Sequence, residues 1–171
     1  MRKFSIMLFA FLGIFTQNIM AQPDQTIANN FEFQLDKYLG TWYEIARFDH
    51  KFERGLEKVT ATYSLRNDGK IKVLNQGYKN GKHKTAIGKA RLKDAAKPRR
   101  LEVSFFLFFY GPYNILELDE NYQYALIGSN TDDYLWILSR TPEMDPTTYQ
   151  MLLDKAQKRG YDTQKLIKVV Q

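Results

Sequence analysis

The chain contains no cysteine among its 171 residues. This excludes thiol nucleophiles, thiolate metal sites and the attachment of lipid to a cysteine side chain. Disulfides are excluded as well, but a chain of this length can bury enough apolar surface to fold without them. The length predicts a single domain, and an apolar content of 44% with 15% aromatic residues is enough for a hydrophobic core.

Histidine is almost as scarce, since the chain has only His50 and His83. A zinc site needs three or four protein ligands, so we interpret both as exposed loop residues rather than as a shared metal site. The sequence also lacks a Gly-x-Ser-x-Gly elbow, which is the usual signature of a serine hydrolase on an α/β fold. We therefore predict no metal, no cofactor and no catalytic residue.

Long apolar runs are absent except at the N-terminus. Arg2 and Lys3 precede an almost wholly apolar run over residues 4–15, and Ala21 provides a small residue soon after it. A run of roughly 12 residues is short for a bilayer span, which needs about 20. We predict a secretory signal peptide over residues 1–21, cleavage after Ala21 and a mature domain over residues 22–171. Without a cysteine, the mature protein is expected to be soluble and not cysteine-lipidated.

The net charge is +6, and the basic residues are scattered apart from one denser patch. A nucleic-acid-binding protein would more often gather them with exposed aromatic residues in one motif. We interpret the patch as the solvated face of a sheet, with weak attraction to anionic lipid headgroups as the alternative. No nucleic-acid partner is expected. The patch consists of Lys79, Lys82, Lys84, Lys89, Arg91, Lys93, Lys97, Arg99 and Arg100.

Alternation of apolar and polar residues dominates the middle of the chain. Over residues 58–65 every odd position is apolar or aromatic, and Asn67, Asp68 and Gly69 then provide a hairpin turn. Eight short strands joined by short turns predict an all-β fold, an antiparallel up-and-down barrel. The predicted strands cover residues 40–47, 58–65, 71–77, 86–92, 101–105, 113–118, 123–129 and 134–140.

The first predicted strand is apolar on both faces, with Trp42 and Ala46 on one face and Tyr43 and Ile45 on the other. A strand of a one-sided sheet would alternate, so we expect the barrel interior on one side and a helix on the other. The lead over residues 22–38 is expected to cover one end of the barrel.

A helical pattern begins near the C-terminus. Asp145 is a favourable N-cap and Pro146 a favourable first residue, while Gly160 is a typical end. Between them the apolar residues 149, 152, 153 and 156 fall on one helical stripe. We predict one C-terminal α-helix packed outside the barrel, on the first and eighth strands, followed by a ninth strand over residues 165–170.

Three segments of the sequence form an ordered set of motifs: Gly40-Thr41-Trp42-Tyr43-Glu44, Thr131-Asp132-Asp133-Tyr134 and Leu138-Ser139-Arg140-Thr141-Pro142. They resemble, in this order, the three signatures of the lipocalin family, with a closer likeness to the bacterial outer-membrane lipocalins. The resemblance covers residues 31–171 and implies an eight-stranded barrel, closed at one end, whose calyx holds a lipophilic ligand. It also implies that Gly40, Trp42 and Arg140 are structural, with Arg140 packed on the Trp42 ring. Many bacterial relatives carry an acylated cysteine, so membrane tethering is not implied for this chain.

The inward positions of the predicted strands would line one space. Eight strands can be closed by side chains alone, but small inward residues, aromatic walls and the family's calyx favour a cavity. We predict that the residues binding the ligand are Val59, Ala61, Tyr63, Val73, Ala86, Gly88, Val103, Phe105, Ile115, Ile127, Tyr134 and Trp136. Glu44 and Glu117 share the inward parity that the family alignment implies, and each could pair with a wall Tyr or Lys or face a ligand headgroup.

The resemblance implies binding, storage or transport of a fatty acid or lysophospholipid in the cell envelope. The protein would be secreted across the inner membrane and be periplasmic or outer-membrane associated. The alternative is a lipid-modifying or isomerising enzyme on the same barrel. Residues 105–110, from Phe105 to Tyr110, hold more apolar side chains than one strand face can bury, and Gly111 and Pro112 predict a turn after them. They would form a lid, or a patch that meets a membrane or a second copy in a homodimer.

Overall fold

The structure, a computed structural model, describes residues 31–171. The signal peptide predicted for residues 1–21 lies outside the described residues. Within residues 31–171, no helix is long and apolar enough to cross a membrane. The elements of this range are α1 (Leu35–Tyr38), β1 (Gly40–Phe48), β2 (Glu57–Leu65), β3 (Ile71–Lys79), β4 (Lys82–Leu92), β5 (Arg100–Phe106), β6 (Phe109–Leu118), β7 (Tyr124–Gly128), β8 (Leu135–Ser139), α2 (Pro146–Lys158), a 3-10 turn (Thr163–Lys165) and β9 (Leu166–Lys168).

Strands β1 to β8 form a closed antiparallel barrel. Each strand pairs with the next one in the chain, and β1 closes the circle by pairing with both β2 and β8. The first half of β1 pairs with β2, while its second half pairs with β9. The predicted eight-stranded barrel with a C-terminal helix and a ninth strand is confirmed.

Strands β4 and β6 begin earlier than predicted. β6 begins at Phe109, so Gly111 and Pro112 pair with Val103 and Glu102 inside a hairpin and do not form the predicted turn. The chain instead turns at residues 107–108, between the paired residues Phe106 and Phe109. The run over residues 105–110 is apolar or aromatic throughout and does not alternate. Because strand ends are predicted from alternation, the start of β6 was placed too late. The other strand ends agree with the predictions to within about two residues.

A β-bulge divides β1. Trp42 belongs to the cluster inside the barrel, but the register against β8 shifts between Glu44 and Ala46. Ala46 therefore lies outside the barrel, packed in one cluster with Leu152 and Ala156 of α2. The prediction that Trp42 and Ala46 share a face is wrong, because one extra residue reverses the alternation. The prediction that β1 is covered by the interior on one side and a helix on the other is confirmed.

Helix α2 begins where predicted. The side chain of Asp145 accepts a hydrogen bond from the backbone N–H of Thr148 at 2.8 Å, and Pro146 is the first helical residue. Leu152 and Ala156 are fully buried against the barrel. The helix thus seals the outer face of β1, which would otherwise expose apolar side chains to water.

A second bulge, in β6, places Glu117 on the outside of the barrel. The register between β6 and β7 shifts between Ile115 and Glu117, so the predicted inward position is wrong. The buried carboxylate of Glu117 accepts hydrogen bonds from Lys155 Nζ at 2.8 Å and from Arg159 at 2.6 Å. Because removal of one partner from a buried ion pair typically costs about 3–5 kcal/mol, loss of Arg159 alone would leave the Glu117 carboxylate buried without its closest partner and destabilise the contact between α2 and the barrel.

One end of the barrel is closed by Arg140 stacked on Trp42. The Cζ atom of Arg140 lies 3.9 Å from the centroid of the indole ring, as the resemblance implied. Trp42 is fully buried, and its Nε1 donates to the carbonyl of Tyr38 at 2.9 Å. Phe31 and Phe33 pack on the same core, so the described part of the lead does cover this end. The Arg140 guanidinium donates to the backbone carbonyls of Lys37, Tyr38, Leu39, Thr41 and Tyr122.

The stacked arrangement predicts that Trp42 and Arg140 are energetically coupled. Trp42→Ala should lower the free energy of unfolding by about 3–5 kcal/mol because it leaves a cavity. Arg140→Ala should cost less, and the loss in the double variant should be smaller than the sum of the single losses. Urea denaturation of the four proteins measures the coupling.

Arg140→Lys is the matched control, because it keeps the charge but cannot serve five carbonyls at once. It should lose most of the stability that Arg140→Ala loses. Strictly additive losses for Trp42→Ala and Arg140→Ala would contradict the stacked arrangement.

Candidate functional site: the barrel cavity

A cavity of about 540 Å³ occupies the end of the barrel opposite the Trp42–Arg140 pair. Its walls come from inward residues of β1 to β3 and β5 to β8, and its rim from the β1–β2 connection, the β5–β6 hairpin and the β7–β8 connection. The volume falls in the range of sites that enclose small molecules, about 300–1,000 Å³. The barrel interior is therefore not completely filled by its own side chains.

Eight of the twelve predicted ligand-binding residues line this cavity. They come from five different strands or their ends and include both the aromatic walls and the small residue that the pattern indicated. The eight are Ala61, Tyr63, Val73, Val103, Phe105, Ile127, Tyr134 and Trp136.

Ala86 and Gly88 on β4 do not line the cavity, which corrects the prediction for both. β4 pairs with β5 only from Lys89 onward, so Ala86 lies on an arm of β4 with one free side and is exposed. Gly88 is buried under the ring of Phe105, where a Cβ would lie 2.8 Å from Phe105 Cδ1. The absence of a side chain at Gly88 therefore lets Phe105 form the wall.

Val59 and Ile115 are buried but also lie away from the cavity. Ile115 belongs to the packed core around Trp42 at the closed end. Val59 is packed beside Gly77, where the register of β2 against β3 shifts. Alternation identifies the inward face of a strand but not the height along the barrel axis, so it could not separate core from cavity.

The loops supply lining residues that the sequence pattern missed. Phe52 and Glu53 enter the cavity from the β1–β2 connection, and residues 129–131 and 133 enter it from the β7–β8 connection. Tyr113 and Asn75 add to the walls from β6 and β3. Loop residues have no period, so only the inward parity of Asn75 and Tyr113 was available as a sequence signal.

Three tyrosines form a hydrogen-bonded chain at the floor. The hydroxyl of Tyr113 lies 2.6 Å from that of Tyr38 and 2.9 Å from that of Tyr63. Burial raises the pKa of all three, that of Tyr63 to about 12. The floor is therefore neutral at physiological pH, and Tyr63 and Tyr113 can each offer a phenol to the cavity.

Glu44 and Arg47 form a buried pair at the cavity wall. Arg47 donates to Glu44 Oε1 at 2.6 Å, and Glu44 is only 5% exposed. Burial raises the pKa of Glu44 to about 8, with a further contribution from the neighbouring carboxylate of Glu53, and Arg47 opposes the shift. The sequence left two roles open for Glu44, pairing with a wall Tyr or Lys and contact with a ligand headgroup. The structure shows a different partner, the side chain of Arg47, which lies three residues further along β1.

Glu53 lies across from this pair and is also buried. Its Oε2 accepts a hydrogen bond from Trp136 Nε1 at 3.1 Å. Its backbone carbonyl accepts from Arg47 at 2.8 Å, which folds the β1–β2 connection inward. Burial raises the pKa of Glu53 above its ordinary value, while Trp136 and Arg47 act in the opposite direction.

His50 differs from the exposed loop residue that was predicted. Only 7% of it is exposed, and its ring stacks on Phe52 and Tyr134 with centroids 5.2 and 4.7 Å away. Burial lowers the pKa of His50. His83 is exposed but lies in β4 rather than in a loop. Among residues 31–171, no group of histidine and carboxylate side chains is arranged to hold a metal ion.

The raised pKa of Glu44 predicts that stability falls as the pH rises. The folded protein keeps a proton on Glu44 up to about pH 8, whereas an unfolded glutamate releases it near 4.3. The free energy of unfolding should therefore decrease between about pH 5 and 8, by at most about 1.4 kcal/mol per pH unit. Glu44→Gln, which keeps an acceptor for Arg47, should remove this part of the slope in urea denaturation.

Glu143→Gln provides the control, because it removes an exposed carboxylate beyond β8. The comparison with the wild type cancels the titration of His50, which all the proteins share. Parallel stability curves for the wild type and Glu44→Gln over this pH range would contradict the assignment.

Comparison with known proteins agrees with this geometry. The lipocalin-like domain family matches residues 33–171. The outer membrane lipoprotein Blc of Escherichia coli (strain K12) is 49% identical over 164 residues, which cover 95% of this chain and 92% of the relative. Temperature-induced lipocalin-1 of Arabidopsis thaliana is 41% identical over 147 residues, covering 80% and 78%.

The solved structures agree on the fold. Insecticyanin from the tobacco hornworm Manduca sexta superposes with a TM-score of 0.67 at 19% identity, covering 86% of this chain and 82% of that one. The family match spans nearly all the described residues and includes the Trp42–Arg140 pair and the cavity above it. The resemblance predicted from three short segments is therefore confirmed: the chain belongs to the lipocalin family and is similar to bacterial outer-membrane members of it.

Proposed function

We propose that the cavity binds one single-chain lipid, a fatty acid or lysophospholipid, for storage or transport in the cell envelope. The observation that carries the proposal is a half-enclosed cavity of about 540 Å³ in a lipocalin barrel, with Val73, Val103 and Ile127 on its walls. A flexible acyl chain can follow such walls without leaving a polar group unpaired, because a methylene chain has none.

The energy of burial is sufficient for useful affinity. Each buried methylene contributes about 0.8 kcal/mol, so a chain of about fourteen gives roughly 11 kcal/mol gross. Association costs at least about 4 kcal/mol. The remainder of about 7 kcal/mol corresponds to a dissociation constant near 10 μM before any headgroup contact is counted.

The proposal describes a binding protein and not an enzyme. The alternative, a lipid-modifying or isomerising enzyme on the same barrel, would have to use Glu44, Glu53 or the tyrosine chain at the floor as acid and base. A bound lipid that is released unchanged supports binding, and turnover of a supplied lipid would support the alternative.

We further propose an envelope location. The similar bacterial proteins are named as outer membrane lipoproteins, and the predicted signal peptide would carry this chain across the inner membrane. Because the chain has no cysteine, we propose that it is periplasmic, or associates with the outer membrane without a cysteine-linked lipid.

Blocking the cavity should abolish binding. Ala61 lines the wall, so Ala61→Trp should place an indole in the path of an acyl chain and reduce the affinity for a fluorescent fatty acid by at least about tenfold. The affinity is measured by fluorescence titration, and a circular dichroism melt checks that the barrel is folded.

Ala86→Trp is the matched control, since the same substitution at an exposed position of β4 should leave binding unchanged. Unchanged affinity in folded Ala61→Trp would contradict the proposal that the cavity is the binding site.

The rim of the cavity carries an exposed apolar hairpin. Phe106, Leu107, Phe108 and Phe109 at the β5–β6 turn are each at least 60% exposed, with Phe108 at 74%. Their exposure favours a patch that meets another surface over a lid that buries these side chains. We propose that this hairpin docks the open end of the barrel onto a lipid bilayer, so that an acyl chain passes between bilayer and cavity without crossing water.

Basic residues near the hairpin support an anionic bilayer as the partner. Lys89 and Arg91 lie over the ring of Tyr110, with distances to its centroid of 5.6 and 4.0 Å. Lys82 and Lys84 are exposed on the free arm of β4. Each basic residue near an anionic surface contributes about 1 kcal/mol, and this part should weaken as salt is added.

Removal of the aromatic rings should slow the delivery of lipid. The double variant Phe108→Ser, Phe109→Ser should transfer a fluorescent fatty acid from anionic vesicles about tenfold or more slowly, because each buried Phe contributes about 1.5–3 kcal/mol. The equilibrium affinity in solution should change little. Stopped-flow fluorescence measures the transfer rate.

Leu65→Ser is the control, since Leu65 is equally exposed but lies at the closed end, next to the β2–β3 turn. An unchanged transfer rate with a reduced affinity would make the hairpin part of the pocket wall and exclude docking. A homodimer that dissociates in the double variant would assign the hairpin to a second copy of the protein.

A further inference from the structure

Strand β4 has a free edge near the open end of the barrel. It pairs with β3 from Lys82 to Ala90, but with β5 only from Lys89 onward. Among residues 31–171, no strand other than β3 pairs with residues 82–88, which we call the β4 edge. Alternate residues of the β4 edge therefore present backbone N–H and C=O groups that no neighbouring strand satisfies.

A bulge in β5 produces this edge. The hydroxyl of Ser104 donates to the backbone carbonyl of Phe106 at 3.3 Å, and the register of β5 against β6 shifts between Val103 and Phe106. The strands β4 and β5 approach closely at Gly88, where a Cβ would lie 2.7 Å from the carbonyl oxygen of Ser104. Because a bulge bends the strand that contains it, β5 leaves β4 beyond this contact.

The β4 edge is strongly basic. Residues 69–93, which include β3 and β4, contain no Asp or Glu. Further along β4, Arg91 forms an ion pair with Glu102 of β5 at 2.7 Å. Lys82 and Lys84 are exposed, and within the part of the chain that the structure describes no hydrogen bond or ion pair engages their ammonium groups. Two unpaired cations thus lie side by side on an unpaired strand.

The side chains of the β4 edge alternate between two faces. Ala90 lies in the core cluster inside the barrel, and the register between β3 and β4 runs without a shift. By alternation, Lys82 and Lys84 project from the inner face of the strand and Ile87 from its outer face. Ile87 is 63% exposed. A strand added to this edge would therefore meet two lysines on one face and an apolar residue on the other.

The lysines restrict which strands can pair with the β4 edge. Lysine on an exposed edge discourages pairing with most other strands. It does so through its charge, because like charges directly opposite each other destabilise a sheet and opposite charges stabilise it. A second copy of the β4 edge would bring further lysines. A strand with carboxylates at the matching positions is therefore the partner that this edge fits.

We propose that the β4 edge binds an extended acidic segment of a partner protein by antiparallel strand addition. The segment has an apolar residue opposite Ile87. Lys84 and Lys82 lie three and five residues before Ile87, so the acidic residues follow the apolar one by three and five positions. The resulting pattern is Ile-x-x-Glu-x-Glu, with Val and Asp as equivalents. Main-chain hydrogen bonds provide the affinity, and the alternate side chains provide the specificity.

A labelled peptide tests the pattern. A fluorescein-labelled peptide with the core Ile-Thr-Thr-Glu-Thr-Glu is titrated with the protein at low salt, without lipid, and binding is measured by fluorescence anisotropy. It should bind about tenfold or more tightly than the same peptide with Lys in place of both Glu. The reversed sequence has the same composition and should bind more weakly. Equal binding of the reversed sequence would overturn the antiparallel register.

Methylation of the peptide backbone distinguishes strand addition from simple charge attraction. Successive residues of an added strand direct their N–H groups alternately toward β4 and away from it. N-methyl groups on one alternate set of residues should therefore abolish binding, whereas N-methyl groups on the other set should change the affinity by less than about threefold. The same effect of both sets would overturn strand addition.

Charge reversal in the protein assigns the contact to the β4 edge. The double variant Lys82→Glu, Lys84→Glu should prefer the Lys peptide to the Glu peptide by about tenfold. The control Lys72→Glu, Lys158→Glu makes the same change in net charge at exposed positions away from the edge. It should keep the preference of the wild type. A circular dichroism melt checks that both double variants are folded.

The remaining outcomes would overturn the proposal. A wild-type preference for the Glu peptide in Lys82→Glu, Lys84→Glu would place the contact elsewhere on the protein. If no peptide binds, and the same variant only weakens binding to anionic vesicles, the two lysines serve a bilayer and not a partner strand. The peptide titrations contain no lipid, so their result is independent of the proposed lipid binding.

Discussion

The contact of the Arg140 guanidinium with the Trp42 ring is the interaction on which the rest of the structure depends. A single side chain stacks on the indole at 3.9 Å and donates to five backbone carbonyls. Those carbonyls belong to α1 and the residue after it, to β1 and to the β6–β7 connection, so one side chain joins three parts of the chain. Three of these hydrogen bonds, to Tyr38, Leu39 and Tyr122, are partly shielded from water. With this end closed, the unfilled volume of the barrel lies at the other end.

The β-bulges in β1 and β6 determine which side chains face the cavity and which face helix α2. The bulge in β1 turns Ala46 outward to α2 and leaves Glu44 at the cavity wall, while the bulge in β6 turns Glu117 outward to the same helix. One acidic residue thus pairs with the helix through Lys155 and Arg159, and the other lies at the cavity wall, paired with Arg47.

The sequence predicted the fold well because barrels are encoded by local alternation and turns. Strand β2, the helix cap at Asp145 and the Trp42–Arg140 pair all follow from residues close in the sequence or from a resemblance. Errors arose where a strand departs from alternation, at Ala46 and Glu117, or where a run is apolar throughout, before Tyr113. The cavity was predicted only in part. The alternation of residues along a strand shows which side chains face inward, but not how far along the barrel axis each one lies. Phe52, Glu53 and Asp133 could not be found, since loop residues reach the cavity through tertiary contacts that no periodicity records.

The most direct test is native mass spectrometry of the protein purified from the envelope of its own cells, without added lipid. If the calyx holds one single-chain lipid, the spectrum should show one adduct per chain with the mass of such a lipid. The lipid should be recovered chemically unchanged after denaturation. A spectrum of bare protein alone, two acyl chains per protein, or a lipid that the protein converts on incubation would contradict the central claim.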